Sequence, residues 1–304
     1  MISEDATLVS VIIITYNSAR YVTKTLESVK SQTWKHIELI VSDDCSTDAT
    51  VVICSEWLNN NRHRFVNARL ITSGCNTGTS ANCNRGFKLA TGEWIKTISG
   101  DDILLPGCIS DNLNYAGNSN ASFIVSDMCK IDENGMPLAG NTVNEGLAYF
   151  VNFPTARKQL KAYVRWPAFL NTPTFFYKKE ILDLIHLCDE EFRIYEDMTV
   201  IYRITEMNVK VYYMNKSTVG YRVHADSVSR SNKLEETRTE EAHRIFKKYR
   251  SKHLNLLNPI DLSIYYECWL RFKYKGFKGR KGIVILNKLS LFYWYLRLSG
   301  IRKQ

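Results

Sequence analysis

The strongest constraint on the fold of this 304-residue chain is a repeating order of apolar strands and amphipathic helices in its first 120 residues. Residues 9–15, VSVIIIT, are apolar and mostly β-branched, which is typical of a parallel strand buried on both faces. Further strands are predicted at 37–41, 65–71 and 94–98, with helices at 19–31, 46–59 and 79–90 and another beginning at Pro106. This order predicts an α/β fold with a mostly parallel, twisted sheet and helices on both faces.

Polar residues follow each predicted strand. They are Thr15-Tyr16-Asn17, Asp43-Asp44, Asn76-Thr77-Gly78 and Asp101-Asp102. Any one of these groups is typical of a turn or a helix cap. The carboxyl ends of parallel strands, however, meet at one edge of the sheet, where such folds bind their ligands. Four polar groups at that edge therefore indicate a binding site.

The pattern is looser after residue 120. A strand is predicted at 122–131, followed by a turn at 132–135. Shorter strands are predicted at 174–177, 209–214 and 218–223, and helices at 178–186, 197–207 and 234–252.

Cysteine spacing and the opening segment bear on metal binding and location. The eight cysteines include no CxxC pair and have no accompanying histidine cluster, so we expect reduced thiols and no zinc site. The opening segment has acids before its apolar run and no basic region, which predicts no signal peptide and an intracellular protein.

Charge is distributed unevenly along the chain. Residues 233–304 contain 17 Lys/Arg and 6 Asp/Glu, a net charge of +11, whereas residues 1–232 sum to −2. The tail also contains many aromatic residues, and only eight uncharged residues lie between Lys288 and Arg297, too few to cross a bilayer. We expect a helical extension that lies on an anionic membrane surface. A helical cap packed on the rest of the protein is the alternative, and nucleic-acid binding is disfavoured because no upstream segment resembles a nucleic-acid module.

The ordered motifs of residues 8–110 resemble those of the family 2 glycosyltransferases, which have a GT-A, Rossmann-like fold. The similar stretches are VSVIIITYN, IELIVSDDCSTD, GCNTGTSANCNRG and ATGEWIKTISGDD. The resemblance implies a GT-A domain over 1–232, with a nucleotide-sugar half at 1–120 and an acceptor half at 121–232, followed by the extension at 233–304. It also implies an enzyme that uses a nucleoside diphosphate sugar.

The resemblance also implies roles for individual residues. Asp102 would bind a divalent metal, Mg²⁺ or Mn²⁺, and Asp101 would face the ribose or the waters of the metal, so the cation would relieve the repulsion between the two acids. Asp44 would accept from a uracil ring, with Asp43 beside it, although a turn role for Asp43 has nearly equal weight. The other implied nucleotide-sugar contacts are Thr15, Tyr16, Asn17, Asn76 and Asn84.

One position departs from the family pattern. The family usually has arginine immediately before the asparagine of the third motif, and here that position is Cys83. Arg85 or Lys88 would have to compensate, or the selection of the base would differ.

The second half of the chain must supply a catalytic base. Glu196-Asp197 resembles the E-D motif of the family, which implies that Asp197 takes the proton from an acceptor hydroxyl. The alternative is an acid placed in the first helical turn for its favourable interaction with the helix dipole. A single base implies direct displacement with inversion. His224, in YRVHADSVSR, would approach the metal or the diphosphate, and a packed histidine is the alternative.

The predicted function is therefore transfer from a UDP-sugar to a saccharide or lipid-linked saccharide in bacterial surface polysaccharide or lipopolysaccharide synthesis. The predicted location is the cytoplasmic, inner face of the membrane, and the oligomeric state stays open, a homo-oligomer included. Two competing hypotheses are a sugar nucleotidyltransferase and a weakly active protein that binds nucleotide sugar or docks on membranes. TYNSA after the first strand disfavours the nucleotidyltransferase, since it is not a glycine-rich phosphate loop.

Overall fold

The computed structural model describes residues 7–138, 144–224, 235–274, 282, 285 and 288–301. Within them, eight strands form one sheet in the order β3-β2-β1-β4-β7-β6-β8-β5. The strands are β1 Val9–Thr15, β2 Ile37–Asp43, β3 Asn67–Thr72, β4 Trp94–Ser99, β5 Ile103–Leu104, β6 Phe123–Ile131, β7 Phe176–Lys178 and β8 Tyr212–Arg222. The predicted α/β fold with a mostly parallel sheet is confirmed.

Strand direction brings the ends of distant strands to one edge. β1, β2, β3 and β4 pair in parallel, so their carboxyl ends lie together. β7 pairs antiparallel with both β4 and β6, and the two reversals make β6 run in the direction of β4. β8 is parallel to β6, and its carboxyl end at Arg222 therefore reaches the same edge.

Helices cover the sheet and form the carboxyl-terminal extension. They are α1 Val22–Lys30, α2 Thr50–Asn61, α3 Thr79–Leu89, α4 Cys108–Ser119, α5 Glu145–Val151, α6 Ala156–Arg165, α7 Lys179–Leu184, α8 Glu196–Glu206, α9 Glu235–Ile245, α10 Pro259–Lys273 and α11 Leu291–Leu298. No helix in the described ranges is long and apolar enough to cross a membrane.

The core forms because the apolar residues of the central strands meet helix faces with matching spacing. β1 and β2 are almost wholly buried, as expected for strands covered on both faces. Val22, Leu26 and Val29 of α1 recur at helical spacing and pack into the same core as Trp57 of α2. Phe176 of β7 stacks on Trp94 of β4, with ring centroids 4.9 Å apart.

Two parts of the second half differ from the sequence-based predictions. The strands predicted at 209–214 and 218–223 are one strand, β8, whose register against β6 shifts around Asp127. Helices α5 and α6 were not predicted, because both are short and α6 has few large apolar side chains.

The chain divides into two compact units. The first comprises Met1–Thr142 and Leu170–Ala225, and the second comprises Val143–Phe169 and Asp226–Gln304. Residues 143–169 thus group with the carboxyl-terminal region, whereas the predicted boundary at 232/233 lies outside the described residues. Within the second unit, Arg165 Nε donates to Asp261 Oδ1 at 2.7 Å and Arg250 Nε donates to the Val164 carbonyl at 2.5 Å. These bonds join α6 to the carboxyl-terminal helices.

Candidate active site

The loop after β1 is held to the loop after β2 by its own polar side chains. Thr15 Oγ1 donates to Asp43 Oδ2 at 2.7 Å, and the Ser46 amide donates to Asp43 Oδ1 at 2.8 Å. Asn17 has a left-handed φ of 50° and its Oδ1 accepts from the Thr47 amide at 2.8 Å. Thr15 and Asp43 are buried, so they support the two loops from inside the protein. Tyr16, in contrast, leaves 47% of its surface exposed and can offer a ring face to a ligand.

Asp44 anchors the loop that precedes α3. Its carboxylate accepts from the Thr77 hydroxyl at 2.6 Å, from the Gly78 amide at 2.7 Å and from Arg85 Nη2 at 2.6 Å. Burial by itself raises the pKa of Asp44, but the bonds from Thr77, Arg85 and Gly78 outweigh it, so the pKa lies below its usual value. Asp44 is therefore charged, and its two oxygens already accept several bonds from the protein.

Arg85, two residues after the departure at Cys83, points to the loop that Asp44 anchors. The Cys83 side chain is buried, whereas Arg85 Nη1 donates to Thr77 Oγ1 at 2.7 Å beside its ion pair with Asp44. Lys88 is exposed on the same helix. Of the two candidates for compensation, Arg85 is therefore the residue that reaches the strand-end carboxylate.

Two residues predicted to contact the nucleotide sugar, Asn84 and Asn76, also bind other parts of the protein. Asn84 Nδ2 donates to the Cys188 carbonyl at 2.9 Å and to Glu190 Oε1 at 2.8 Å, while its Oδ1 accepts from the Cys188 amide at 2.8 Å. These bonds hold the 188–190 segment beside α3, and the nucleotide contact of Asn84 stays a prediction. Asn76 Oδ1 accepts from Arg193 Nη2 at 2.8 Å, a contact that could not be predicted from the motif.

The end of β4 lies close to the loop after β1 because Gly100 lacks a side chain. A Cβ at Gly100 would lie 2.8 Å from Thr15 Cγ2 and 3.0 Å from Ser18 Oγ. Glycine thus lets the end of β4 pass close to the β1 loop. The polar groups after β1 and β4 are brought together, as the sequence predicts.

The paired aspartates differ in environment. Asp101 Oδ2 lies 2.9 Å from His224 Nε2, and 24% of the Asp101 side chain is exposed. Burial by itself raises the pKa of Asp101, but the hydrogen bond with His224 contributes to lowering it below its usual value. Asp102 is buried, and its Oδ1 accepts from the Arg222 amide at 2.8 Å. Burial and the neighbouring charge of Asp101 hold the pKa of Asp102 well above its usual range.

These residues fit a divalent cation that also binds a nucleotide. A carboxylate and an imidazole are both suitable ligands for Mn²⁺, and such cations commonly take one or two protein ligands plus substrate phosphates. Over the residues that the structure describes, no group of three or more His, Cys, Asp or Glu side chains is arranged as a metal site. The sequence assigned Asp102 and His224 to the metal, whereas the geometry pairs His224 with Asp101.

Arg222 and Tyr21 support this pair and were not predicted to do so. The Arg222 guanidinium is buried and donates to the carbonyls of Asp101, Asp132 and Glu133 at 2.6, 2.9 and 2.9 Å. The Tyr21 ring lies 4.9 Å from the Arg222 guanidinium and 4.8 Å from the His224 ring. Arg222 thus holds the loop around the acids through backbone carbonyls, which accept from its Nε and Nη1.

Asp197 lies in the first turn of α8. Its Oδ2 accepts from Thr172 Oγ1 at 2.6 Å and its Oδ1 accepts from the Met198 amide at 2.7 Å. Burial raises the pKa of Asp197 above its usual value, and the bonds from Thr172 and Met198 oppose that shift only in part. A raised pKa suits a carboxylate that accepts a proton during a reaction.

Comparison with known proteins decides the family. The sequence model described as glycosyl transferase family 2 matches residues 10–185, more than half of the chain. The chain belongs to this family. It is a glycosyltransferase, and the resemblance to the family is confirmed.

Relatives of this glycosyltransferase occur in several bacteria. Glycosyltransferase GlyG of Streptococcus pneumoniae serotype 4 is 25% identical over 240 residues, which cover 74% of this chain and 73% of GlyG. The amylovoran biosynthesis glycosyltransferase AmsB of Erwinia amylovora is 24% identical over 223 residues, with coverage of 70% and 69%. Some relatives are much longer, since a 26% identical match to GlyA of the same S. pneumoniae strain covers 73% of this chain but only 31% of GlyA.

Solved structures share the fold of this glycosyltransferase. S. aureus TarS 1-349 in complex with UDP-GlcNAc superposes with a TM-score of 0.56 at 17% identity and covers 96% of this chain and 88% of TarS 1-349. The mannosyltransferase PcManGT of Pyrobaculum calidifontis, in complex with GDP-Man and Mn²⁺, gives a TM-score of 0.57 at 16% identity, with coverage of 96% and 79%. The predicted GT-A fold is confirmed.

Arg85 generates a testable prediction about the nucleotide half of the site. We expect Arg85→Gln to weaken binding of UDP about ten- to hundredfold, because charged hydrogen bonds to Asp44 and Thr77 of about 1.5–3 kcal/mol are lost. Isothermal titration of UDP with Mn²⁺ measures this change. Lys88→Gln removes a charge from an exposed position of the same helix and serves as the matched control. Equal affinities of Arg85→Gln and Lys88→Gln would contradict the assignment.

Proposed function

We propose that this glycosyltransferase moves a sugar from a UDP-sugar to a hydroxyl of a saccharide or lipid-linked saccharide, with inversion, in bacterial surface polysaccharide or lipopolysaccharide synthesis. The observation that carries the proposal is the 2.9 Å pair of Asp101 and His224 at the edge where the parallel strands end. A strand-end acid by itself is typical of a turn, but its pairing with the buried His224 suits a phosphate-bound cation.

The donor would lie across the loops after β1 to β4. Tyr16 would face the base, and the loop built by Thr15, Asn17 and Asp43 would hold that ring in place. Asp44 would either accept from the base or act through the Thr77 loop that it anchors. The fold of TarS, which binds UDP-GlcNAc, supports a UDP-sugar as donor.

Asp101 and His224 would hold Mg²⁺ or Mn²⁺, and Asp102 would lie behind them. When bound, the cation would neutralise the charge that grows on the leaving diphosphate. The complex of PcManGT with GDP-Man and Mn²⁺ supports a divalent cation in this fold. The chain itself would fix the Asp101 loop through the three backbone carbonyls that Arg222 binds.

Asp197 would act as the base. Its carboxylate would take the proton from the acceptor hydroxyl while that oxygen forms a bond to the anomeric carbon and the bond to the diphosphate breaks. One displacement inverts the configuration at that carbon. Thr172, which donates to the same carboxylate, would keep it oriented and charged.

The second unit would associate with the inner face of the cytoplasmic membrane. Large side chains exposed in this unit include Leu257, Trp269, Tyr274, Trp294 and Leu298. Aromatic and aliphatic side chains among lysines and arginines suit the headgroup region of an anionic bilayer. Membrane association would in turn suit a lipid-linked acceptor, and the name of AmsB supports polysaccharide synthesis as the setting.

A donor panel tests the proposed reaction. We expect the wild-type protein with Mn²⁺ to release UDP from one UDP-sugar, and chelation with EDTA to abolish this release. Asp197→Asn should lower transfer about 10²- to 10⁴-fold, the usual contribution of a general base, and should leave donor affinity within about threefold. Asp183→Asn, at an exposed carboxylate on α7, is the control and should keep wild-type activity. Release of only GDP or CDP, or full activity of Asp197→Asn, would count against the proposal.

Thr172 links the role of Asp197 to pH. Thr172→Val removes a bond that stabilises the charged carboxylate, so the pKa of Asp197 should rise and the acid limb of the kcat profile should move to higher pH by about one to two units. Thr172→Ser keeps the hydroxyl and should keep the wild-type profile. An unchanged acid limb in Thr172→Val, measured from pH 4.5 to 9, would show that Asp197 does not govern activity.

A further inference from the structure

We infer that the second unit contains a binding site for a lipid that bears a terminal phosphate. The site is a cavity of about 570 Å³ between α10 and the π-helical turn Phe246–Arg250 that follows α9. The cavity is within the size range of small-molecule sites. The inference deepens the membrane part of the proposed function and rests on it.

The charge of the cavity favours an anion. Lys247, Lys252, Lys273 and His243 line it, and no Asp or Glu does so among the described residues. Lys247, Lys252 and Lys273 bring three positive charges to one concave surface, which favours a phosphate with two negative charges as ligand. The lysine side chains are exposed, so they are accessible to a ligand.

The walls of the cavity are aromatic, which distinguishes it from a site for a free ion. His243 stacks on Phe272 with ring centroids 4.5 Å apart, and Phe246 lies 5.8 Å from Tyr265 and 6.0 Å from Phe272. Lys273 Nζ lies 4.4 Å from the centre of the Trp269 ring. An anion joined to an apolar group would use both features, since the lysines would bind the charge and the rings would contact the carbon atoms.

A second, apolar groove on the same helix could bind the hydrocarbon chain of the lipid. It measures about 360 Å³, and its lining includes Leu262, Tyr266, Leu270, Leu289 and Leu291. Helix α10 thus presents Tyr265, Trp269 and Phe272 to the cavity and Leu262, Tyr266 and Leu270 to the groove.

Tyr266 of the groove is a residue that contacts the lining of the cavity. It is 56% exposed and contacts Trp269 at 6.4 Å. A ring of the groove thus contacts a ring of the cavity, and an amphiphile could lie along this aromatic surface. A lipid phosphate matches the charge and the aromatic surface together, whereas a soluble phosphate ester matches only the charge.

Vesicle binding by the full-length protein tests this inference. Phosphatidylcholine vesicles containing phosphatidic acid, which has a terminal phosphate, are compared with vesicles containing phosphatidylglycerol at the same zeta potential. We expect wild-type protein to bind the phosphatidic acid vesicles about tenfold more tightly, the effect of one additional charge-assisted contact. Equal binding to the two compositions, or to neither, would overturn the inference.

Two triple variants distinguish binding in the cavity from nonspecific attraction of a basic protein to anionic vesicles. Lys247→Ala/Lys252→Ala/Lys273→Ala should lose the preference for phosphatidic acid. Arg157→Ala/Lys158→Ala/Lys161→Ala removes the same number of charges from exposed positions of α6 in the same unit and should weaken binding to both vesicles equally, with the preference retained. Loss of the preference in both variants would overturn the inference, as would binding of glycerol 3-phosphate to the wild-type protein with no preference between the vesicles.

The binding assay needs no turnover, so its outcome is independent of the glycosyl transfer reaction. Absent transfer with retained phosphatidic acid preference would refute the proposed reaction alone. Active transfer with equal vesicle binding would refute the lipid phosphate site alone. Circular dichroism of both triple variants checks that they fold, which we expect because exposed lysines contribute little to stability.

Discussion

The buried guanidinium of Arg222 is the interaction on which the geometry of the site depends. It joins the end of β8 to the backbone of the Asp101 loop and to the turn at Asp132 and Glu133. Burying a guanidinium is costly unless its donors are satisfied, and here backbone carbonyls accept from Nε and Nη1 without neutralising the charge. The remaining positive charge opposes the repulsion between Asp101 and Asp102. A core residue therefore sets both the position and the electrostatics of the two acids.

Strand topology makes this interaction achievable. β7 lies antiparallel between β4 and β6, and β8 runs parallel to β6, so residues 120 positions apart meet at one edge. The same arrangement places His224 beside Asp101 and the turn containing Thr172 beside Asp197. In the proposed function the two halves of the first unit would contribute different chemistry, since the parallel half would hold the nucleotide and the mixed half would carry the base.

The parallel half was predictable from the sequence because strands buried on both faces are continuous runs of apolar residues. β1 and β2 are runs of β-branched and aliphatic residues, and their observed bounds lie within two residues of the predicted ones. β8 was predicted as two strands because Asn215 and Lys216 interrupt the apolar pattern, although both lie within the strand. α5 and α6 lack the long apolar periodicity that identifies a helix, so packing in the second unit determines them.

The chemical identity of the site was more predictable than its contacts. Paired acids at strand ends and an acid in the first turn of a helix indicate the candidate residues of the site. The partners of these residues depend on tertiary packing. Asn84 is an example, because its motif predicts a nucleotide contact but its amide binds the 188–190 segment. His224 is a second example. It pairs with Asp101 and not with the adjacent Asp102, a choice that no sequence pattern encodes.

Anomalous diffraction at the manganese edge, from crystals grown with Mn²⁺ and UDP, tests whether Asp101 and His224 hold the cation. We expect one Mn²⁺ within about 2.5 Å of both Asp101 Oδ2 and His224 Nε2, the upper range for oxygen ligands of divalent cations, with a diphosphate oxygen as a further ligand. Mn²⁺ bound through Asp102 while His224 stays hydrogen-bonded to Asp101, or Mn²⁺ at a place remote from the end of β4, would contradict this expectation.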